Sequence, residues 1–210
     1  YHLPGMIKTL LLICYPIPTW DRIVSAQRKW GRILALHLVP LLIITSALEG
    51  YGLVHWGKPR GRAAHLNRFS VPETVVFETG QFLLSLAIVF FAARTIKSLG
   101  ETFHGRHSFT QTFTVAAYGL SPLFLFRALD AFPFVSPWLT WALGMFFSAS
   151  LLYHGLPRVM RPDPPHALGL YLMSVLLLVI LTGLTAFLTA WFLQGKFTKL
   201  DTLIGRFTGQ

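Results

Sequence analysis

Residues 167–193 read ALGLYLMSVLLLVILTGLTAFLTAWFL, 27 residues without a single charged side chain. As a helix rising 1.5 Å per residue, this stretch is more than long enough for the roughly 30 Å of hydrocarbon in a bilayer. Lipid offers the backbone no hydrogen bonds, so a spanning segment of this length is a helix. Working outward, four further stretches predict spans: 33–53, 75–93, 112–129 and 135–156. The third and fourth are separated only by 130–134 and should form an antiparallel hairpin. The proline-rich 158–166 turns the fourth back into the fifth.

Composition agrees. Of 210 residues, 53% are hydrophobic and 12% charged, about half the charge of an ordinary soluble domain. The mean hydropathy is +0.56. A soluble globule and a disordered chain are excluded, and with Cys14 as the one cysteine so is a disulfide scaffold. The class is all-α: a polytopic membrane protein with five transmembrane helices (33–193), an interfacial N-terminal helix within 1–32, and an amphipathic C-terminal tail, 194–210. No signal peptide is expected, because the apolar run 10–14 is short and Pro16 and Pro18 follow it. Trp20, Trp30, Trp56, Trp138, Trp141 and Trp191 all fall near span ends, as an interfacial aromatic belt requires.

Both ends carry apolar stripes. In the N-terminal segment Thr19 is positioned to cap a helix whose face carries Trp20 and Ile23, with Arg22, Arg28, Lys29 and Arg32 beside them. In the tail, Phe197, Leu200, Leu203, Ile204 and Phe207 recur at helical spacing. Each stripe is expected to lie on the bilayer or to dock a partner. These seven residues are the candidates for partner or lipid contact.

Ionisable groups at membrane depth need a reason. Glu49 and Glu78 should approach one membrane face from adjacent antiparallel spans, where interfacial water is the simplest account of them. Arg127 and Asp130, three residues apart, are expected to pair locally. His37, His104, His107 and His154 raise a metal or haem question, but no carboxylate or thiol completes a ligand set, so no metal or cofactor is expected. Catalytic motifs of the G-x-S-x-G, H-E-x-x-H or Walker type are absent from the sequence, and no catalytic residue is assigned. Gly144 with Ser148, and Thr182 with Ala186 and Ala190, form small-residue faces suited to close helix packing.

One region is distinctive beyond hydropathy. Gly105, Ser108, Phe109, Gln111 and Thr112 lead into a span with Tyr118 and Pro122, and Tyr153 and Gly155 close the next. This pattern resembles the Yip family (Yip-one domain) of multi-span membrane proteins, named for interaction with Ypt/Rab GTPases. The resemblance covers most of the chain and implies a five-span layout. Its eukaryotic members act in vesicle trafficking through a cytosolic N-terminal region with an acidic D-L-Y-G-P-like segment. These 210 residues carry no such segment, so GTPase binding does not carry over, and the compact form is similar to prokaryotic members.

The expected function is non-enzymatic: an accessory, scaffold or assembly subunit of a larger membrane complex, acting by helix packing and tail docking. The alternatives are a small transport protein using Glu49, Glu78 and His37, and a haem- or pigment-bearing subunit with His37 or His154 as ligand. Expected partners are other membrane proteins or a homo-oligomer, and anionic lipids. The formal charge of +10 is read as span orientation and headgroup contact, with no nucleic acid as partner. Ten basic residues fall on the side of the N-terminus and eight on the other, which places the N-terminus in the cytoplasm of a bacterial cytoplasmic membrane and the C-terminus opposite. A C-terminal reporter that works only in the cytoplasm should therefore be silent; an active one reverses the assignment.

Overall fold

Five helices long and apolar enough to cross a membrane run Trp30–His55, Val71–Thr102, Phe109–Ala131, Pro137–Met160 and Pro165–Leu193. The structure, a computed structural model, describes residues 5–60, 65–102 and 107–193. The polytopic all-α class is confirmed, and the spans extend past their hydropathic cores because the helices continue beyond the hydrocarbon. The C-terminal stripe (Phe197, Leu200, Leu203, Ile204 and Phe207), Gly105 and His104 lie outside the described residues.

Two short helices precede the first span. Helix α1 (Gly5–Cys14) and α2 (Pro16–Ser25) fold back on each other. At ten residues α1 covers only about 15 Å, yet it packs on the first, third and fourth spans, and its Leu12 is fully buried. Pro16 and Pro18 stand in the first turn of α2, where a missing N–H costs nothing. Thr19 is consequently inside the helix and does not cap it. Its hydroxyl donates to the carbonyls of Tyr15 at 2.7 Å and Leu11 at 3.3 Å, tying the two helices together.

The first span is interrupted near its start. Helix α3 (Trp30–Ile33) passes into a π-helical turn, Leu34–Leu38, and then α4 (Val39–His55). Pro40 has no N–H for the carbonyl of Leu36, and just before it Val39 reaches back five residues to the carbonyl of Leu34. After α4 comes an element the all-helical reading did not contain, a two-stranded antiparallel hairpin. Strands β1 (Lys58–Arg60) and β2 (His65–Asn67) pair with Lys58 opposite Asn67. The second span is α5 (Val71–Thr102), 32 residues and about 48 Å long.

The third span breaks in the middle. Helix α6 (Phe109–Gly119) ends before Leu120, α7 (Ser121–Arg127) restarts with Pro122 in its first turn, and a 3-10 turn, Ala128–Ala131, finishes it. Ser108 caps α6 through a reciprocal capping box with Gln111. Helix α8 (Pro137–Met160) continues through Pro157 to a left-handed end at Arg161, and α9 (Pro164–Leu193) closes the bundle. The third span is central, with 67% of its most apolar window buried, against 22% for the fifth. Around it, α8 packs on α2, α6, α7 and α9, and α5 on α4, α6 and α9.

The small-residue faces serve internal packing. Gly144 rests on Leu123 of α7, and Ser148 and Thr182 are buried. The tightest approach is at Gly52, where an added Cβ would lie 2.1 Å from the carbonyl oxygen of Ala131. Backbone cannot move aside as a side chain can. Gly52→Ala should therefore cost about 2 kcal/mol or more. Gly80→Ala meets nothing within 4 Å and should be neutral or stabilising by up to about 1 kcal/mol. Thermal unfolding of both in detergent checks the contrast; equal melting would contradict the packing of α4 on the third span.

Candidate functional site

Three charged residues converge at the end of the bundle away from α2. Glu49 comes from the C-terminal half of α4, Glu78 from the start of the third turn of α5, and Arg127 ends α7. The antiparallel first and second spans place both carboxylates at one level, as their spacing implied. Water does not surround them: Glu49 is 1% exposed. Arg127 Nε donates to Glu49 Oε2 at 2.5 Å and Nη2 donates to Glu78 Oε2 at 2.6 Å. The local pair expected between Arg127 and Asp130 is not formed. Arg127 divides one edge of its guanidinium between two other helices, a use to which a planar fork is suited. Asp130 instead accepts from the hydroxyl of Thr140 at 2.9 and 3.1 Å.

A second cation seals this end. Lys58, at the start of the hairpin, is 4% exposed. Its Nζ donates to the carbonyls of Phe132 at 2.9 Å and Val135 at 3.2 Å, in the turn between the third and fourth spans. Burial pushes its ammonium below the usual lysine range, opposed by the charges of Asp130 and Glu49. Three carboxylates thus face two cations in a region of low dielectric, where each pairing is strong and each unpaired charge costly.

Beside the cluster is a cavity of about 80 Å³ lined by Glu49, Gln81, Arg127, Asp130, Thr140 and Thr185, among others, room for only a few waters. Gln81 donates to the hydroxyl of Thr189, and Trp141 Nε1 donates to Thr182 at 3.1 Å. Polar side chains of the second and fifth spans therefore continue the network across the bundle.

His37 is not part of it. Twelve residues separate it from Glu49, about 18 Å along a helix. The structure joins two members of the expected permeation set and leaves the third elsewhere. His37 lies in the π turn, fully buried, with Nε2 2.7 Å from Ser121 Oγ and its ring stacked on Tyr118 at 4.2 Å. The Ser121 hydroxyl donates to the carbonyl of Ala117 at 2.7 Å, so His37 Nε2 is the donor to Ser121. Nε2, the nitrogen a haem-ligating histidine commonly presents to iron, is thus engaged with Ser121. His154 is half-buried near the end of α8, edge-on to Tyr153. His107 is buried against Gly100. Among the described residues, no group of three His, Cys, Asp or Glu side chains could hold a metal ion.

The remaining motif positions are joints. Ser108 and Gln111 form the cap, and Gln111 Nε2 also donates to the carbonyl of Val159 at 3.3 Å, linking the third span to the fourth. Thr112 donates to Phe109 O at 3.1 Å, while the Phe109 ring packs with Phe90 and Phe113. Pro122 restarts the third span, and Tyr153 is exposed and edge-on to Tyr171. Gly155 admits Trp20, whose ring would lie 2.3 Å from an added Cβ. Trp20 is fully buried, edge-on to Tyr118 at 6.2 Å, so it is unavailable to lipid or a partner. Ile23 is half-buried on the wall of a second cavity, at the opposite end of the bundle from the charge cluster. The sequence did not reveal the partners of Arg127, Lys58 and Thr140, which lie on other elements up to 78 residues away. The one signal it offered was that Glu49 and Glu78 approach the same membrane face, where two carboxylates together could hold a cation.

Five apolar spans with charged groups paired inside the bundle define a polytopic integral membrane protein. A family model described as the Yip1 domain matches residues 10–187, and the chain belongs to that family. No curated protein and no solved structure matches it significantly.

Removing the guanidinium leaves two carboxylates facing each other. Arg127→Met should destabilise the protein by about 3–5 kcal/mol, and adding Glu49→Leu and Glu78→Leu should recover most of that loss. Unfolding in detergent measures both; a triple variant less stable than the single one would show that the three residues do not act as a unit.

Proposed function

We propose that this protein is a non-enzymatic accessory, scaffold or assembly subunit of a larger membrane complex, in a bacterial cytoplasmic membrane with its N-terminus cytoplasmic and its C-terminus on the other side. The observation that carries this reading is where the unused surface lies. At the charge cluster, Arg127, Lys58 and Asp130 are engaged with their neighbours, which suits a lock between helices better than a substrate path. The outward face of α9 is different. Leu168, Leu172, Leu176, Ile180, Leu184 and Leu188 recur every four residues and are 43–62% exposed. A straight ridge at this spacing is what interdigitates with the groove of another helix.

Other membrane proteins or a second copy of the chain are the partners this surface suits, with lipid covering what they leave. A photo-crosslinking residue in place of Leu176 or Ile180, activated in native membranes, should give one protein adduct of defined stoichiometry. The fully buried position Leu178 should give none. Adducts to lipid alone from both exposed positions would overturn the reading.

A further inference from the structure

The end of the bundle opposite the charge cluster holds the second cavity, of about 730 Å³, between α2 and the ends of the third and fourth spans. That is within the roughly 300–1,000 Å³ of ordinary small-molecule sites. Arg22, Arg28, Arg158 and Arg161 line it, with no aspartate or glutamate among the lining residues. Asp21 lies near enough to hold Arg158 Nε at 3.3 Å, and Arg158 also donates to the carbonyl of His154 at 2.8 Å. Arg158 is therefore fixed in place. Arg22, Arg28 and Arg161 form no ion pair among the described residues. Three of the four guanidiniums thus have no carboxylate partner among the described residues, and an anion entering the cavity would meet all four.

Among the described residues, Gln27 and Arg161 are the only non-glycine positions with positive φ, at 39° and 48°. Both line this cavity. Both stand at helix C-termini, Arg161 closing α8 and Gln27 following α2, where a left-handed residue ordinarily ends a helix, so two helix ends turn at the rim of one space. Ser108, Thr110 and Gln111 at the start of α6 also line the cavity, Ser108 and Gln111 being engaged in the cap of that helix. The rest of the wall mixes apolar side chains, among them Leu11, Ile33, Val159 and Met160, with Thr19, Thr114 and Tyr118.

We infer that this cavity binds a phosphate ester through its arginines. Guanidinium forks match phosphate oxygens in geometry and charge. The apolar side chains of the wall and the position at a span end favour the headgroup of an anionic phospholipid, since basic pockets between transmembrane helices hold such groups. A soluble phosphate ester would meet the same arginines but leave those apolar side chains uncovered. The site stands whether or not the spans hold a protein partner.

The test is native mass spectrometry of the intact, detergent-purified protein titrated separately with cardiolipin, phosphatidylcholine and inorganic pyrophosphate. Cardiolipin should bind at least about tenfold more tightly than phosphatidylcholine, and Arg22→Gln with Arg28→Gln should weaken it about tenfold. Arg94→Gln with Lys97→Gln removes the same charge from the same end of the bundle outside the cavity, and should change binding by less than about twofold. If the first pair melts early, Arg161→Gln makes the same comparison. Arginine-dependent binding of pyrophosphate without preference for cardiolipin would keep the phosphate site and assign it to a soluble ligand. Equal binding of cardiolipin and phosphatidylcholine with none of pyrophosphate would overturn it, as would equal losses in the two double variants.

Discussion

Arg127 is the interaction on which the rest of this bundle depends. Its guanidinium is the last group of α7, and it reaches the first span through Glu49 and the second through Glu78. A carboxylate alone at that depth would be costly, and two close together more so. The arginine makes both tolerable and thereby sets the relative height of three helices. Around it, Thr140 brings in the fourth span through Asp130, and Gln81 brings in the fifth through Thr189. Lys58 closes the assembly by binding the carbonyls of the turn between the third and fourth spans. The cluster thus contacts or neighbours every span at one end, which apolar packing alone would not register so closely.

At the other end the devices are aromatic and conformational. Trp20 fills the space left by Gly155, Tyr118 lies between Trp20 and His37, and the π turn that carries His37 precedes Pro40. The break at Leu120 places Ser121 where it can accept from His37. Irregular backbone within a membrane needs protein to bond the groups it frees; the break at Leu120 is fully buried, and the π turn buries His37 and Leu38 while Leu36 faces outward. The N-terminal hairpin of α1 and α2 completes this end by packing on the spans. That is why a segment resembling an interfacial elbow in sequence contributes the fully buried side chains of Thr9, Leu12 and Trp20.

Much of this was legible from the chain. Five spans, the antiparallel hairpin of the third and fourth and the shared level of Glu49 and Glu78 all follow from local rules of run length and turn length. The pairing of Arg127 did not. Its nearest charge in sequence is Asp130, and nothing local reveals that α4 and α5 present carboxylates at the height of its fork. Thr19 illustrates the same limit at smaller scale. It has the chemistry of a cap, but Pro16 starts the helix one turn earlier, and the hydroxyl turns to the preceding helix. The hairpin of β1 and β2 was missed because three-residue strands leave no periodicity to read.

The sequence by itself determined that this is a five-span helical membrane protein, because hydrocarbon admits only long apolar helices whose backbone groups bond internally. It also determined the family, through motif residues that turn out to cap, restart and pack those spans. Only the tertiary structure decided what the polar residues do. A buried charge is bearable only beside its complement, and which side chains become complements depends on how helices distant in sequence settle against one another. That packing drew Glu49, Glu78 and Arg127 into one closed cluster, turned Trp20 inward, and gathered Arg22, Arg28, Arg158 and Arg161 around a space at the opposite end.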